Sequence, residues 1–400
     1  MHEDHGPVRY GPPAPDPGLP VLPELAAVLA AADRTRPEPP GGGHALREAA
    51  GGYWDRRGLH GGPENIVAAP GDQPLLLALI AAHGGDVLMP RPSPATWMPQ
   101  ARLLGRPAYQ VPTPAECGGI PDPYALLETV RRVRAEGGRP KLLVLSVADD
   151  PTATVAPPEL VREACEAAVG EGMHIISDET WRDTVHRPRD TLLLSPAEMC
   201  PDDVTVISDL CGAFTPAAWP VAVARFPATG RGAARRARTL DVLTALGALV
   251  AGPLAPAAAH ALAEPEAVRE RIRQASELQA QVAAAAHRAV LASGALARPP
   301  QAGRHLYADL GPLRPRLADL GVTDSMELEE YLTDRLGAPA PGGHRFGDEL
   351  GALRVRLGTG PLLGATAEEQ RASLTAADPL ELPHVERALS RFARAFGELG

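Results

Sequence analysis

Five aspartates and one near-absence carry the chemical signal of this chain. Asp178 closes the apolar run His174-Ile175-Ile176-Ser177 and is followed by Glu179-Thr180-Trp181. Asp149 and Asp150 stand in a turn before Pro151, just after Lys141-Leu142-Leu143-Val144-Leu145-Ser146. Asp209 follows Val204–Ser208, two residues before Cys211, and Asp72 opens a helical stretch. A carboxylate at the end of a buried strand lies in a cleft, where it can move a proton or hold an amine. Asp178 is the candidate general acid or base, and Asp209 beside it would raise one pKa of the pair. Cys211 would be a nucleophile if a base stood near; its other reading is a small buried thiol. Arg354 and Arg356 share one face of a short strand, so either could grip a carboxylate. The near-absence is lysine: among 400 residues the sole lysine is Lys141.

Each acid also has a plainer role. Asp72 suits a helix N-cap, and Asp149 and Asp150 suit a turn. His2 and His5 have the look of a metal pair, but a mobile terminus explains them as well.

The elements that position these residues alternate. Asn65–Ala69, Asp86–Met89, Ala108–Val111, Lys141–Ser146, His174–Ile176, Val204–Ser208 and Val221–Phe226 read as strands. Helical spacing fills His44–Arg56, Asp72–His83, Pro123–Glu136 and the stretch from Pro157 to Gly170. Strands alternating with helices predict a three-layer α/β domain on a mainly parallel sheet. From about Leu240 the chain becomes helical and Ala-rich, through Val268–Leu291. A smaller α+β domain follows, with strands His305–Asp309 and Leu353–Leu357 and helices Ser325–Leu336 and Pro383–Phe396. The expected boundaries are an N-terminal arm and part of the small domain over 1–44, a large domain over 45–265, and a linking helix with the small domain over 266–400.

A formal charge of −10 argues against general affinity for nucleic acid or anionic membrane. No apolar run reaches the roughly 18 residues a membrane span needs. The polar opening Met1-His2-Glu3-Asp4-His5 predicts no signal peptide, so the cytoplasm is expected. The cysteines lack metal-ligand spacing and are expected as thiols.

Several pieces in this order resemble the class I/II aminotransferases of the fold-type-I pyridoxal-phosphate superfamily, and the resemblance covers nearly the whole chain. Leu46-Arg47-Glu48-Ala49 with Gly52-Tyr53-Trp54-Asp55-Arg56-Arg57-Gly58 is similar to the family's LREAIAGYYARRG helix. Asn65-Ile66-Val67 through Gly71-Asp72-Gln73 resembles NIxxTxGSQQAL. Asp149-Asp150-Pro151-Thr152-Ala153 resembles NNPTG, and Ser177-Asp178-Glu179-Thr180-Trp181 resembles SDEIY. Arg354-Val355-Arg356-Leu357 resembles the C-terminal xRxxxA strand. The resemblance implies a homodimer and pyridoxal phosphate as the family cofactor, held by a lysine, a helix N-terminus, an arginine, an asparagine and an aspartate.

The slots are filled differently here. The family's GLSKSLALGGWRIGVARF aligns without a gap on Asp209 to Phe226, with Trp219 and Val223-Ala224-Arg225-Phe226 fixing the register. Gly212 then takes the lysine slot and Pro220 that of the phosphate-binding arginine. Asp209 and Asp72 fall where small or hydroxyl residues meet the phosphate. Pro94 falls near the stacking aromatic, with Trp97 three residues on as the competitor. Asp150 replaces the asparagine and Trp181 the nearby tyrosine, while Asp178 retains the pyridinium-pairing aspartate. A charge-assisted hydrogen bond is worth roughly 1.5–3 kcal/mol, so two missing cations and two added acids disfavour a phosphate dianion. Lys141 opens its strand at the far end of the sheet.

Ordinary transamination is therefore not expected, and no bound cofactor or metal is expected. The leading expectation is an aminotransferase-like protein acting without pyridoxal phosphate on a small amino or carboxylic acid in biosynthesis. Asp178, and Cys211 as a lesser candidate, would carry chemistry; Arg356, Asp150, Trp181 and Asp209 would bind substrate. Two alternatives are a non-catalytic protein binding a metabolite or protein partner, and a family member holding pyridoxal or pyridoxamine phosphate non-covalently.

Overall fold

Runs of Ile, Val, Leu and Ala that are apolar on both faces must be covered on both faces, and such runs make up most of one seven-stranded sheet. The computed structural model describes residues 18–33, 35, 37–114 and 117–399. The strands are β1 (Ile66–Ala69), β2 (Asp86–Arg91), β3 (Ala108–Pro112), β4 (Pro140–Ser146), β5 (His174–Asp178), β6 (Val204–Asp209) and β7 (Ala222–Arg225). Their order across the sheet is β1-β7-β6-β5-β4-β2-β3. β7 runs antiparallel to β1 and β6, and the other pairings are parallel. β1, β5, β6 and β7 are buried at every residue, as a sheet sandwiched between helix layers requires.

Two apolar clusters cover the two faces. One joins Leu25, Tyr53 and Trp54 to Leu145, Ile175 and Val206. The other packs Leu76, Leu79 and Trp97 on Val67, Val144 and Ile207. Trp97, offered above as a stacking aromatic, is fully buried in that second cluster and opens a helix, Trp97–Leu103, that the sequence pattern had not disclosed. Helix Gly230–Ala245 also begins ten residues before the expected onset.

The long helix Glu266–Ala292 serves both domains. Val268 packs into the large-domain core, while Leu278, Val282 and Val290 pack into a separate core. That second core covers a three-stranded sheet of β8 (Leu296–Ala297), β9 (His305–Asp309) and β10 (Arg354–Gly358), in the order β10-β9-β8 and antiparallel throughout. Near the N-terminus, Leu19 touches the small-domain core and Leu25 belongs to the large one. Among the described residues no helix is long and apolar enough to cross a membrane.

The parallel strands β4, β5 and β6 all end on aspartates or turns that carry them, so the fold gathers the acids at one edge. Leu145, at the middle of the sheet and fully buried, gives a test of that scaffold. Leu145→Ala should cost about 2–5 kcal/mol, read as a lower denaturant midpoint with the slope of the transition unchanged.

Candidate functional site at the strand ends

The site is built from what each strand delivers as it leaves the sheet. β6 ends on Asp209, whose carboxylate turns toward helix Asp72–Ala82. Oδ2 accepts from the Asp72 backbone amide at 2.9 Å, and Oδ1 accepts from the Cys211 amide at 2.8 Å. The Asp209 amide donates to Thr180 Oγ1 at 3.0 Å. Gly71, at φ +98°, is the cap position of that helix and has no side chain to satisfy the free amides. A carboxylate from another strand takes the first of them, the Asp72 amide, from the anion position of a helix N-terminus. Asp72 is the first helical residue and does not itself cap the helix. Burial, then Asp209 and Asp178, push its carboxyl well above the usual range.

β5 ends on Asp178, which is 8 % exposed and accepts from the Thr180 amide at 3.0 Å. Burial pushes it up to about 6, with Asp209 and Asp150 adding to the rise. After β4, Asp149 is buried beneath Ser146 Oγ (2.8 Å) and Thr152 Oγ1 (2.5 Å), both donating to it. Burial pushes it, too, up to about 6 against those hydrogen bonds.

Asp150 faces the small domain. Arg356 Nη1, from β10, donates to its Oδ1 at 2.8 Å and its Oδ2 at 3.0 Å. Arg354, on the same strand face, pairs instead with Asp309 and Asp348. Of the two arginines, Arg356 is the one at the strand-end cluster. β9 contributes His305, which sequence reasoning had placed only as the start of a strand. It is 2 % exposed, and its Nε2 has no hydrogen-bond partner, standing 3.6 Å from Asp150 Oδ1. Burial pushes its imidazole down to about 4. Trp181 lies edge-on to His305, with ring centroids 5.7 Å apart, and beneath the Arg304 guanidinium.

The loop after β6 is tightly held. Arg304 Nη2 donates to the carbonyls of Cys211 (2.5 Å) and Gly212 (3.2 Å). Burial and Asp209 push the Cys211 thiol well up, which keeps it neutral and runs against the nucleophile reading. At Gly212 a Cβ would lie 2.0 Å from the Thr180 carbonyl oxygen. No side chain fits there without moving backbone. Pro220 lies within 3.5 Å of the space over Gly71, beside Asp209. Lys141 is exposed at the second position of β4, at the opposite end of the sheet. His2 and His5 lie outside the described residues. Among the described residues no group of three or more His, Cys, Asp or Glu could hold a metal ion.

The structure thus brings together Asp72, Asp178, Asp209, Asp150 and Arg356, and adds His305, Thr180 and Arg304, which no local pattern marked. A seven-stranded, mostly parallel sheet with acids at its strand ends and a small α+β domain closing over them is the fold-type-I architecture of the pyridoxal-phosphate superfamily. The family model "Aminotransferase class I and II" matches residues 20–360, and the chain belongs to that family. It is 29% identical over 198 residues to the probable aspartate/prephenate aminotransferase of Thermus aquaticus, covering 48% of this chain and 49% of the relative. It is 31% identical over 157 residues to the probable aspartate/prephenate aminotransferase of Aquifex aeolicus, covering 38% of this chain and 37% of that one. The match thus spans about half the length or less of these curated relatives. Among solved structures, the aspartate aminotransferase from Thermus thermophilus with maleate superposes with a TM-score of 0.77 at 22% identity, over 96% of this chain and 90% of that one.

Two outcomes follow from this geometry. Gly212→Ala should destabilise the protein by about 3 kcal/mol, as overpacking against fixed backbone does, measured by chemical denaturation. Asp178 behaves oppositely with pH. Its pKa is raised on folding, so its stabilising contribution is complete below about 4 and is lost as pH rises through 6. Asp178→Asn should match the wild type near pH 4 and exceed it above pH 6, by up to about 3 kcal/mol. A difference that does not change between pH 4 and 8 would contradict this.

Proposed function

We propose that this protein works without pyridoxal phosphate, using a remodelled strand-end pocket that takes a small amino or carboxylic acid. The observation that carries this reading is the Asp209 carboxylate on the amide of Asp72. The helix N-terminus where a phosphate would seat is already capped by the chain's own anion. Three further features support it. The only lysine lies at the wrong end of the sheet, the Gly212 slot meets the Thr180 carbonyl, and the Asp209 carboxylate stands where a dianion would sit, with the Asp72 carboxyl beside it. The residues present therefore do not fit the family cofactor. What the pocket offers is proton transfer: Asp178 is poised near neutrality, and a ligand ammonium would find carboxylates to pair with. Arg356 would take a ligand carboxylate by displacing Asp150.

A second reading, a non-catalytic binder of a metabolite or protein, draws on that last contact. Arg356 is satisfied by Asp150, and a site whose charges pair internally needs no turnover to explain it. As in the family, the chain is proposed to pair as a homodimer, which sedimentation would measure.

Added pyridoxal phosphate should give no shifted visible band and no borohydride-stable adduct with the purified protein. A shifted band with saturable binding would replace both readings with non-covalent or covalent retention of the cofactor. Complementation of a gene deletion separates the two. Asp178→Ala and Arg356→Ala should each abolish growth if the protein is an enzyme. Growth retained by both assigns it the binding role.

A further inference from the structure

The Glu266–Ala292 helix, the segment Gly18–Leu25 and the loop Cys211–Pro216 enclose a cavity of about 70 Å3 behind the Gly212 backbone. At roughly 10–15 Å3 for each water-sized position, that volume holds about five to seven such positions, the size of a small organic acid. Its walls are mostly apolar, with Leu22, Phe214, Val268 and Ile272 among them.

Two polar groups on its helical wall lack what they need. Arg271 donates to the Pro20 carbonyl at 2.5 Å and has no carboxylate partner among the described residues. Burial alone pushes its guanidinium down to about 10. The lining holds one acid, Asp183, which is already engaged by the Tyr53 hydroxyl and by Arg57. Gln279, two helical turns beyond Arg271 on the same face, is 3 % exposed. Its Oε1 accepts from Thr359 Oγ1 at 2.7 Å, and its Nε2 has no partner. A half-buried cation without a counter-ion and a buried amide N–H without an acceptor are both unfavourable. One ligand with an anionic head and an acceptor tail would answer both, while its carbon chain covered the apolar wall.

We propose that this cavity is a binding site for a small carboxylic acid of about four to six carbons, its carboxylate on Arg271 and a hydroxyl or carbonyl oxygen on Gln279. The site shares Cys211, Gly212 and Arg304 with the strand-end cluster but none of its acids, and it stands whether or not the functional reading above does.

Calorimetry and thermal melts of the full chain test this with three probes. 4-Hydroxybutanoate should bind saturably and raise Tm. Butanoate, lacking the acceptor, should bind at least tenfold more weakly, and the neutral 4-hydroxybutanamide should not bind. Arg271→Met should raise the Tm of the ligand-free protein, because it removes a half-buried charge that has no carboxylate partner, and should weaken 4-hydroxybutanoate at least tenfold. Gln279→Leu should bind 4-hydroxybutanoate and butanoate alike, a readout that does not depend on the first variant folding. Asp178→Asn, outside the cavity, should bind as the wild type does. No saturable binding of either acid, or undiminished binding by both cavity variants, overturns the proposal.

Discussion

The carboxylate of Asp209 is the contact on which the strand ends depend. It joins three pieces of chain that share no local sequence: the end of β6, the first turn of helix Asp72–Ala82, and the loop at Cys211. A helix N-terminus buried in a protein must find acceptors for its free amides. Here the acceptor for the first of them, the Asp72 amide, is covalently part of the chain. The rest of the arrangement follows. Burial, with Asp209 adding to it, pushes the carboxyls of Asp72 and of Asp178, one strand over, above their usual range.

The same principle appears across the domain cleft. Arg356 reaches out of β10 and finds Asp150. That pair ties the small domain to the loop after β4, and it leaves His305 buried with a free ring nitrogen at its edge. A partly buried ion pair gains Coulomb energy and loses hydration, so its net worth is small, but breaking one partner is expensive. A ligand anion approaching Arg356 has to offer at least what Asp150 gives.

The chain belongs to the class I and II aminotransferase family, and its backbone follows that of the Thermus thermophilus aspartate aminotransferase over almost its full length. Family and fold leave the chemistry open, because function lies in the site and the site is a matter of a few side chains. An architecture that delivers strand ends to one edge delivers whatever residues those strands carry. In this chain they are acids, closed in by a glycine with no space for a side chain and a proline over the helix cap.

Much of this was legible in the residues alone. Strands β1 to β7 and the helices between them announce themselves through apolar runs and helical spacing, because burial on two faces leaves a composition that polar sequence cannot imitate. The presence of one lysine is likewise a fact of sequence. The helix Trp97–Leu103 was hidden by its internal proline, Pro99, and its brevity. What the sequence could not decide was partnership. Asp72 and Asp209 are 137 residues apart, Asp150 and Arg356 are 206 apart, and the free nitrogen of His305 is visible only once Asp150 stands beside it. Local pattern records which way a side chain faces; whether a charge is paired, and whether a cavity lies behind a glycine, depends on segments that meet only when the sheet has formed and the small domain has closed upon it.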